Sequence, residues 1–115
     1  GSIIIISSIG GLRGTPIIGA YGITKAADIA MCRNLAREFG PSNVRINCIA
    51  PGLVKTDFAR GLWENPDNLK HSTSNACLGR IGEPHEIAGA AVYLASDASS
   101  FMTGQTMVID GGVVV

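Results

Sequence analysis

The stretch SIIIISS, residues 2–8, narrows the fold more than any other part of the chain. It is a β-branched run of strand length with no alternation between apolar and polar positions. A strand that faces water on one side alternates, whereas one that is apolar on both faces is covered on both, as in a parallel sheet. Parallel neighbours cannot be joined by a tight turn and need a crossover, usually a helix. The chain is therefore expected to alternate strand and helix.

The remaining segments follow that order. IGGLRGTPIIG reads as a Gly-rich loop, and Ala20 to Phe39 as a helix stopped by Gly40 and Pro41. VRINCIA, from Val44, is a second strand closed by Pro51 and Gly52. Residues 57–70 read as a short helix interrupted near Pro66, and the polar stretch after it as a mobile loop to about Gly82. EPHEIAGAAVYLAS carries Pro at its start and acidic residues in its first turn, both favourable at a helix amino terminus. QTMVIDGG is a last strand ending in a turn. Strand, helix, strand, helix, strand predicts an α/β fold with about three parallel strands in a three-layer arrangement. Open parallel sheets commonly have more strands, and the first strand is apolar enough to want a neighbour on its other edge. The chain also opens GSIIII without an initiator methionine, so we expect residues 1–115 to be part of a longer protein.

Charge and cysteine content exclude several classes. Nine basic and nine acidic residues cancel with no run of either sign, which argues against nucleic-acid binding. No apolar run approaches the roughly 18 residues that span a membrane. Cys32, Cys48 and Cys77 are odd in number and lack metal-ligand spacing, so they read as reduced, apolar fillers in a reducing compartment such as the cytoplasm. His71 and His85 read as surface residues, and no metal site is expected. Asp57 and Arg60 are spaced to pair across one helical turn, and Asp110 before two glycines reads as a turn former.

Candidate chemistry centres on AYGITK, residues 20–25. Tyr21 and Lys25 stand at i and i+4, neighbours on one helical surface. A phenol is a poor proton donor or acceptor at neutral pH, and an adjacent ammonium favours its ionised form, fitting it for general acid–base work. Y-x-x-x-K is a common spacing, and its bland reading is a packed tyrosine beside a solvated lysine. Its context carries more weight. Ser8 closes the first strand thirteen residues before Tyr21, and ligands of parallel sheets bind at the strands' carboxyl ends. APGLVKT follows the next strand at that same end; there Pro51 and Gly52 permit a tight turn and close approach to a flat ligand, and Thr56 offers a hydroxyl. The long segment beyond it contains Trp63 and reads as a substrate lid.

The helix after the first loop has two apolar stripes. Ile23, Ala26, Ala27 and Ala30 form one, and Tyr21, Lys25, Cys32, Leu35 and Phe39 lie roughly opposite. One face would cover the sheet; the small alanine face suits another helix, from a further segment or a second subunit.

GSIIIISS, AYGITKAA, VRINCIAPGLVKT and GRIGEPHEIAGAAVYLASDASSFMTGQTMVIDGG, in this order and spacing, resemble the carboxyl-terminal half of a short-chain dehydrogenase/reductase. The resemblance covers nearly the whole chain. It implies the carboxyl-terminal catalytic portion of one Rossmann-type domain and a cofactor that is NAD or NADP. It further implies Tyr21 as the acid/base at a carbonyl or alcohol oxygen, Ser8 bonding that oxygen, and Lys25 assisting the tyrosine and bonding the nicotinamide ribose. Pro51, Gly52, the Val54 backbone and Thr56 would hold the nicotinamide end. A small-molecule carbonyl or alcohol substrate and a homodimer or homotetramer are implied as well. The family's amino-terminal signature T-G-x-x-x-G-x-G, its N-A-G segment and its catalytic asparagine have no counterpart here. Gly10 and Gly11 precede a loop and cannot serve as a phosphate cradle; Asn47 falls in the family's R-x-N strand position and takes no catalytic role. A second reading is a non-catalytic, truncated chain acting as an oligomerisation or interaction domain.

Overall fold

A computed structural model describes all residues 1–115. Three strands, β1 (Ser2–Ile6), β2 (Arg45–Pro51) and β3 (Thr106–Ile109), form one sheet in the order β1-β2-β3, and both pairings are parallel. The expected α/β alternation is thus present. Helix α1 (Gly19–Phe39) joins β1 to β2, while α2 (Arg60–Trp63), α3 (Pro66–Thr73) and α4 (Pro84–Ala95) lie between β2 and β3. Register places Ile4 beside Asn47 and Ile49 beside Met107.

Burial concentrates on β2. Ile46, Asn47, Cys48, Ile49 and Ala50 are wholly inaccessible, so the central strand is the one covered on both faces. On one face Ile46 and Cys48 pack with Ile29, Cys32 and Ala36 of α1. On the other side α4 contacts β1 and β2 and buries Leu94. β1 departs from expectation: as an edge strand paired only with β2, it leaves Ile3 and Ile6 about half exposed. The sheet-facing stripe of α1 also runs through Ile29 and Ala36, while Phe39 is exposed. The opposite stripe is uncovered, with Ile23 73% exposed.

Polar groups fix where the layers meet. Asn47, buried in β2, donates to Met102 O at 2.7 Å and accepts from Gln105 N at 3.1 Å, which sets the entry of β3. A buried amide satisfied on both sides specifies its neighbours, since any slip would strand it without partners. Arg45 donates to Leu94 O, Ser96 O and the Ser99 hydroxyl, so a cation closes the carboxyl terminus of α4, where its charge also suits the helix dipole.

The turns refine three expectations. Gly10 and Gly11 lie not in an irregular loop but in a 3₁₀ turn, Ile9–Gly11, whose first N–H groups are capped by the Ser8 hydroxyl. Pro66 starts a helix rather than interrupting one: Asn65 accepts from Asp67 N and Asn68 N, and proline occupies the first helical turn, where its missing N–H costs nothing. The segment to Gly82, read as mobile, is tied at its end, with Leu78 N donating to Gly111 O and Gly82 N to Leu53 O. Such partners are distant in sequence and leave no local signal. Burial raises the thiol pKa of Cys32 and Cys48, whereas Cys77 is exposed and so is no filler. Asp57 does pair with Arg60, and Asp110 accepts from Gly112 N and Val114 N to shape the final turn.

Candidate active site

Parallel pairing brings the carboxyl ends of β1 and β2 side by side, with Ser7 N donating to Ile49 O at 2.8 Å. The two serines after β1 then diverge. Ser7 is buried and its hydroxyl donates to Lys25 O at 2.7 Å, clamping the strand end to α1. Ser8 is half-buried, and its Oγ accepts from Gly10 N at 3.0 Å, leaving the hydroxyl proton free to donate outward.

Gly10 reveals how closely Ser8 and Tyr21 approach. A Cβ built there would stand 3.4 Å from Ser8 Oγ and 3.4 Å from the Tyr21 ring at Cε1. The hydroxyl and the aromatic edge therefore flank one point. That convergence depends on the turn lying directly on α1. A Cβ at Gly11 would sit 2.6 Å from the Lys25 carbonyl carbon, and one at Gly22 would sit 2.9 Å from Gly10 O. No side chain fits at either contact. The sequence displayed the glycine pair but not its purpose, because the partner backbone lies eleven residues or more away.

Lys25 is half-buried with its Nζ 5.8 Å from the Tyr21 ring centroid. It donates to Ile6 O at 3.1 Å and to Asp28 Oδ2 at 3.0 Å. Asp28 was missed in the sequence; its only signal was the i,i+3 spacing to Lys25. The pair orients the ammonium toward the end of β1, within reach of Tyr21.

The Pro51–Thr56 segment continues from β2. Gly52 is required by a protein contact, because a Cβ there would lie 2.8 Å from Asp110 Cα. Val54 forms an isolated parallel bridge with Gly82, made by Gly82 N to Leu53 O and Lys55 N to Gly82 O, both 2.9 Å. In such a bridge the flanking residues make the bonds, so Val54's own N–H points the other way. The Thr56 hydroxyl, exposed, accepts from Ala59 N at 3.3 Å, and Trp63 Nε1 donates to Thr56 O at 2.9 Å. The long segment after Thr56, expected to be a lid, thereby folds back on the residues it follows.

Its far end is fastened by charge. Arg80 places a two-pronged fork on Glu86, Nη1 to Oε2 at 2.8 Å and Nη2 to Oε1 at 2.7 Å, and Glu86 Oε2 also accepts from Glu83 N in a capping box. These bonds, Arg80's first, hold the Glu86 carboxyl at about 2, below its ordinary 4.5. A depressed folded value means that the stabilisation is complete above about pH 4.5 and is lost as pH falls through about 2. We expect a carboxyl-detected NMR titration to place the Glu86 midpoint near that lower value, and Arg80→Gln to raise it toward 4.5. An ordinary midpoint in the parent chain would mean that the fork is not formed in solution.

Comparison with known proteins identifies the family and the fold. Residues 1–114 match the family model described as enoyl-(acyl carrier protein) reductase. The bovine dehydrogenase/reductase SDR family member 4 is 44% identical over 112 residues, covering 97% of this chain and 40% of that protein. A 3-oxoacyl-(acyl-carrier-protein) reductase of Chlamydia trachomatis is 49% identical over 114 residues, covering 98% of this chain and 45% of that protein. Among solved structures, a 4-hydroxyisoleucine dehydrogenase complexed with NADH superposes with TM-score 0.95 at 37% identity, covering 99% of this chain and 47% of that one. A gluconate 5-dehydrogenase from Burkholderia cenocepacia, in complex with NADP and tartrate, gives TM-score 0.95 at 33% identity, covering 98% and 44%. The chain belongs to the short-chain dehydrogenase/reductase family. It is a Rossmann-type α/β structure, and it spans less than half the length of these relatives.

Proposed function

We propose that residues 1–115 are the carboxyl-terminal catalytic portion of a Rossmann-fold oxidoreductase that interconverts a carbonyl and a secondary alcohol with NAD(P)(H). The observation that carries this reading is the convergence of Ser8 Oγ and the Tyr21 ring edge, each 3.4 Å from the same point at Gly10. That proximity sets a serine hydroxyl beside a phenol-bearing ring at the carboxyl end of the sheet, where both could reach one substrate oxygen.

In this mechanism Ser8 donates a hydrogen bond to the substrate oxygen and orients it. Tyr21 gives that oxygen a proton in reduction and takes it back in oxidation. Lys25 supplies positive charge beside the phenolate left behind, and its own position is fixed by Asp28 and Ile6 O. The bound nicotinamide supplies or receives the hydride at carbon. The residues present fit that group. Val54 offers an N–H directed away from the Gly82 bridge, Thr56 a hydroxyl, and Pro51 and Gly52 a backbone without bulk at the same sheet end. Lys25 would bond the nicotinamide ribose. NAD and NADP both remain in scope, because the strand that discriminates them belongs to the amino-terminal half.

The exposed stripe of Ile23, Ala26 and Ala27 on α1 supports a homodimer or homotetramer in which this face is covered. Three free cysteines support a reducing compartment such as the cytoplasm, and no helix is long and apolar enough to cross a membrane.

The test is NAD(P)H oxidation by the full-length enzyme, meaning these residues together with a phosphate-binding half, against ketones, aldehydes and 3-oxoacyl thioesters. Carbonyl-dependent oxidation is expected with one of the two cofactors. Its absence across the panel, together with absent alcohol-dependent reduction of NAD(P), would overturn the proposal.

A further inference from the structure

We propose that the Arg80–Glu86 ion pair positions the nicotinamide end of the cofactor, acting at a distance through the backbone of Val54. The inference rests on the function proposed above. Neither side chain touches Ser8, Tyr21 or Lys25; their route to the site is the short bridge between Gly82 and Val54.

The connection is short and directional. Gly82 lies between the two ionic partners in sequence, and a Cβ on it would stand 3.7 Å from Val54 Cγ2 and 3.9 Å from Glu86 Oε2. The fork of Arg80 and the capping bond from Glu83 N close residues 80–86 into a ring on the amino terminus of α4. Arg80 Nη1 also donates to the carbonyl of the next residue, Ile81 O, at 3.1 Å, which fixes the guanidinium against its own backbone. From that ring Gly82 reaches out and bonds Leu53 and Lys55. Val54 is thus held straight between two backbone bonds whose far partner is anchored by charge.

Backbone bonds from Leu78 and Cys77 tie the segment further back, and the ion pair acts nearest to Gly82. The bridge borders a partly open pocket of about 80 Å³ lined by Leu53, Val54, Leu78, Ile87, Ile109 and Glu86 among others. A segment bordering a pocket has fewer of the close contacts that stiffen a core. Arg80 and Glu86 provide the rigid side-chain link from Gly82 to α4. Without them the segment can move, and Val54 N–H moves with it. Misplacement of a positioning group by about 1 Å is enough to cost on the order of 10²-fold in rate.

The experiment compares cofactor binding in the full-length enzyme and in Glu86→Gln, Arg80→Gln and the double variant. Glu86→Gln keeps an oxygen for Glu83 N, so the cap of α4 survives. Titrations with NAD(P)H, followed by nicotinamide fluorescence, are set against titrations with ADP-ribose or its 2′-phosphate, which lack the nicotinamide. Each single variant is expected to weaken NAD(P)H binding by about tenfold while ADP-ribose stays within about twofold. The double variant should be no worse than the weaker single one, since each removal already breaks the pair. Unchanged NAD(P)H binding in both singles, or equal losses for both ligands, overturns the inference. A parent enzyme that binds neither ligand defeats the functional reading instead.

Discussion

In the full-length enzyme, Tyr21→Phe lowers kcat by at least about 10²-fold and leaves the dissociation constant of NAD(P)H within about twofold. The substitution removes one oxygen and nothing else. The ring stays where it packs, with Cε1 and Cδ1 3.4 and 3.6 Å from the Cβ position at Gly10. Lys25 keeps its bonds to Ile6 O and Asp28, neither of which involves the phenol. What disappears is the group that exchanges a proton with the substrate oxygen. A proton-transfer role acts in the transition state, so the loss falls on kcat and kcat/KM together rather than on KM alone. Steady-state kinetics and a fluorescence titration on the same preparation give both numbers. Activity retained within about tenfold would assign the proton to another donor and end the case for Tyr21.

Gly11→Ala is expected to be nearly as damaging without touching any reacting group. The new methyl would lie 2.6 Å from Lys25 C, 2.7 Å from Ala26 N and 2.7 Å from Lys25 O. All three are backbone atoms inside a long helix and cannot swing aside, so the turn and α1 must separate. Overpacking of this kind costs about 1–3 kcal/mol of stability. Separation also draws Tyr21 and Lys25 away from Ser8, so kcat/KM should fall on the order of 10²-fold. Gly89→Ala is the control: nothing lies within 4 Å of its Cβ position on α4, and helix propensity there favours alanine by about 0.5–1 kcal/mol. Denaturant unfolding of both variants checks the contrast. A Gly11→Ala protein with parent stability and parent kcat/KM would mean that the turn does not set the site.

Local patterns made the strands, the long helix and the α4 start legible in the sequence. Each rests on residues adjacent in the chain: the isoleucine run, the Gly-Pro stop, the proline followed by acids. The residues of the candidate site were legible as well, since Ser8 at a strand end and Tyr21 on the next helix are both short-range features. What the sequence did not disclose depends on backbone meeting backbone. Gly11 and Gly22 read as loop and helix glycines until Lys25 and Gly10 are found against them. Residues 77–82 read as mobile because their bonding partners, Leu53 to Lys55 on one side and Gly111 and Gly112 on the other, are some thirty residues away. Asn65 was the exception. Its cap on α3 rests on a local pattern, Asn before Pro and Asp, that marks a helix start rather than an interruption.

The same fastening of residues 77–82 has a consequence for how such proteins diversify. Residues 56–76 leave the sheet at the Lys55–Gly82 bond and rejoin it at the Cys77–Gly112 and Leu78–Gly111 bonds. Both ends are therefore bolted independently of what runs between them. That stretch can lengthen, shorten or be exchanged like a cassette while Ser8, after β1, and Tyr21 and Lys25, on α1, stay put. On the proposed function, new substrates would become accessible by rewriting that stretch alone, with the costly geometry inherited intact.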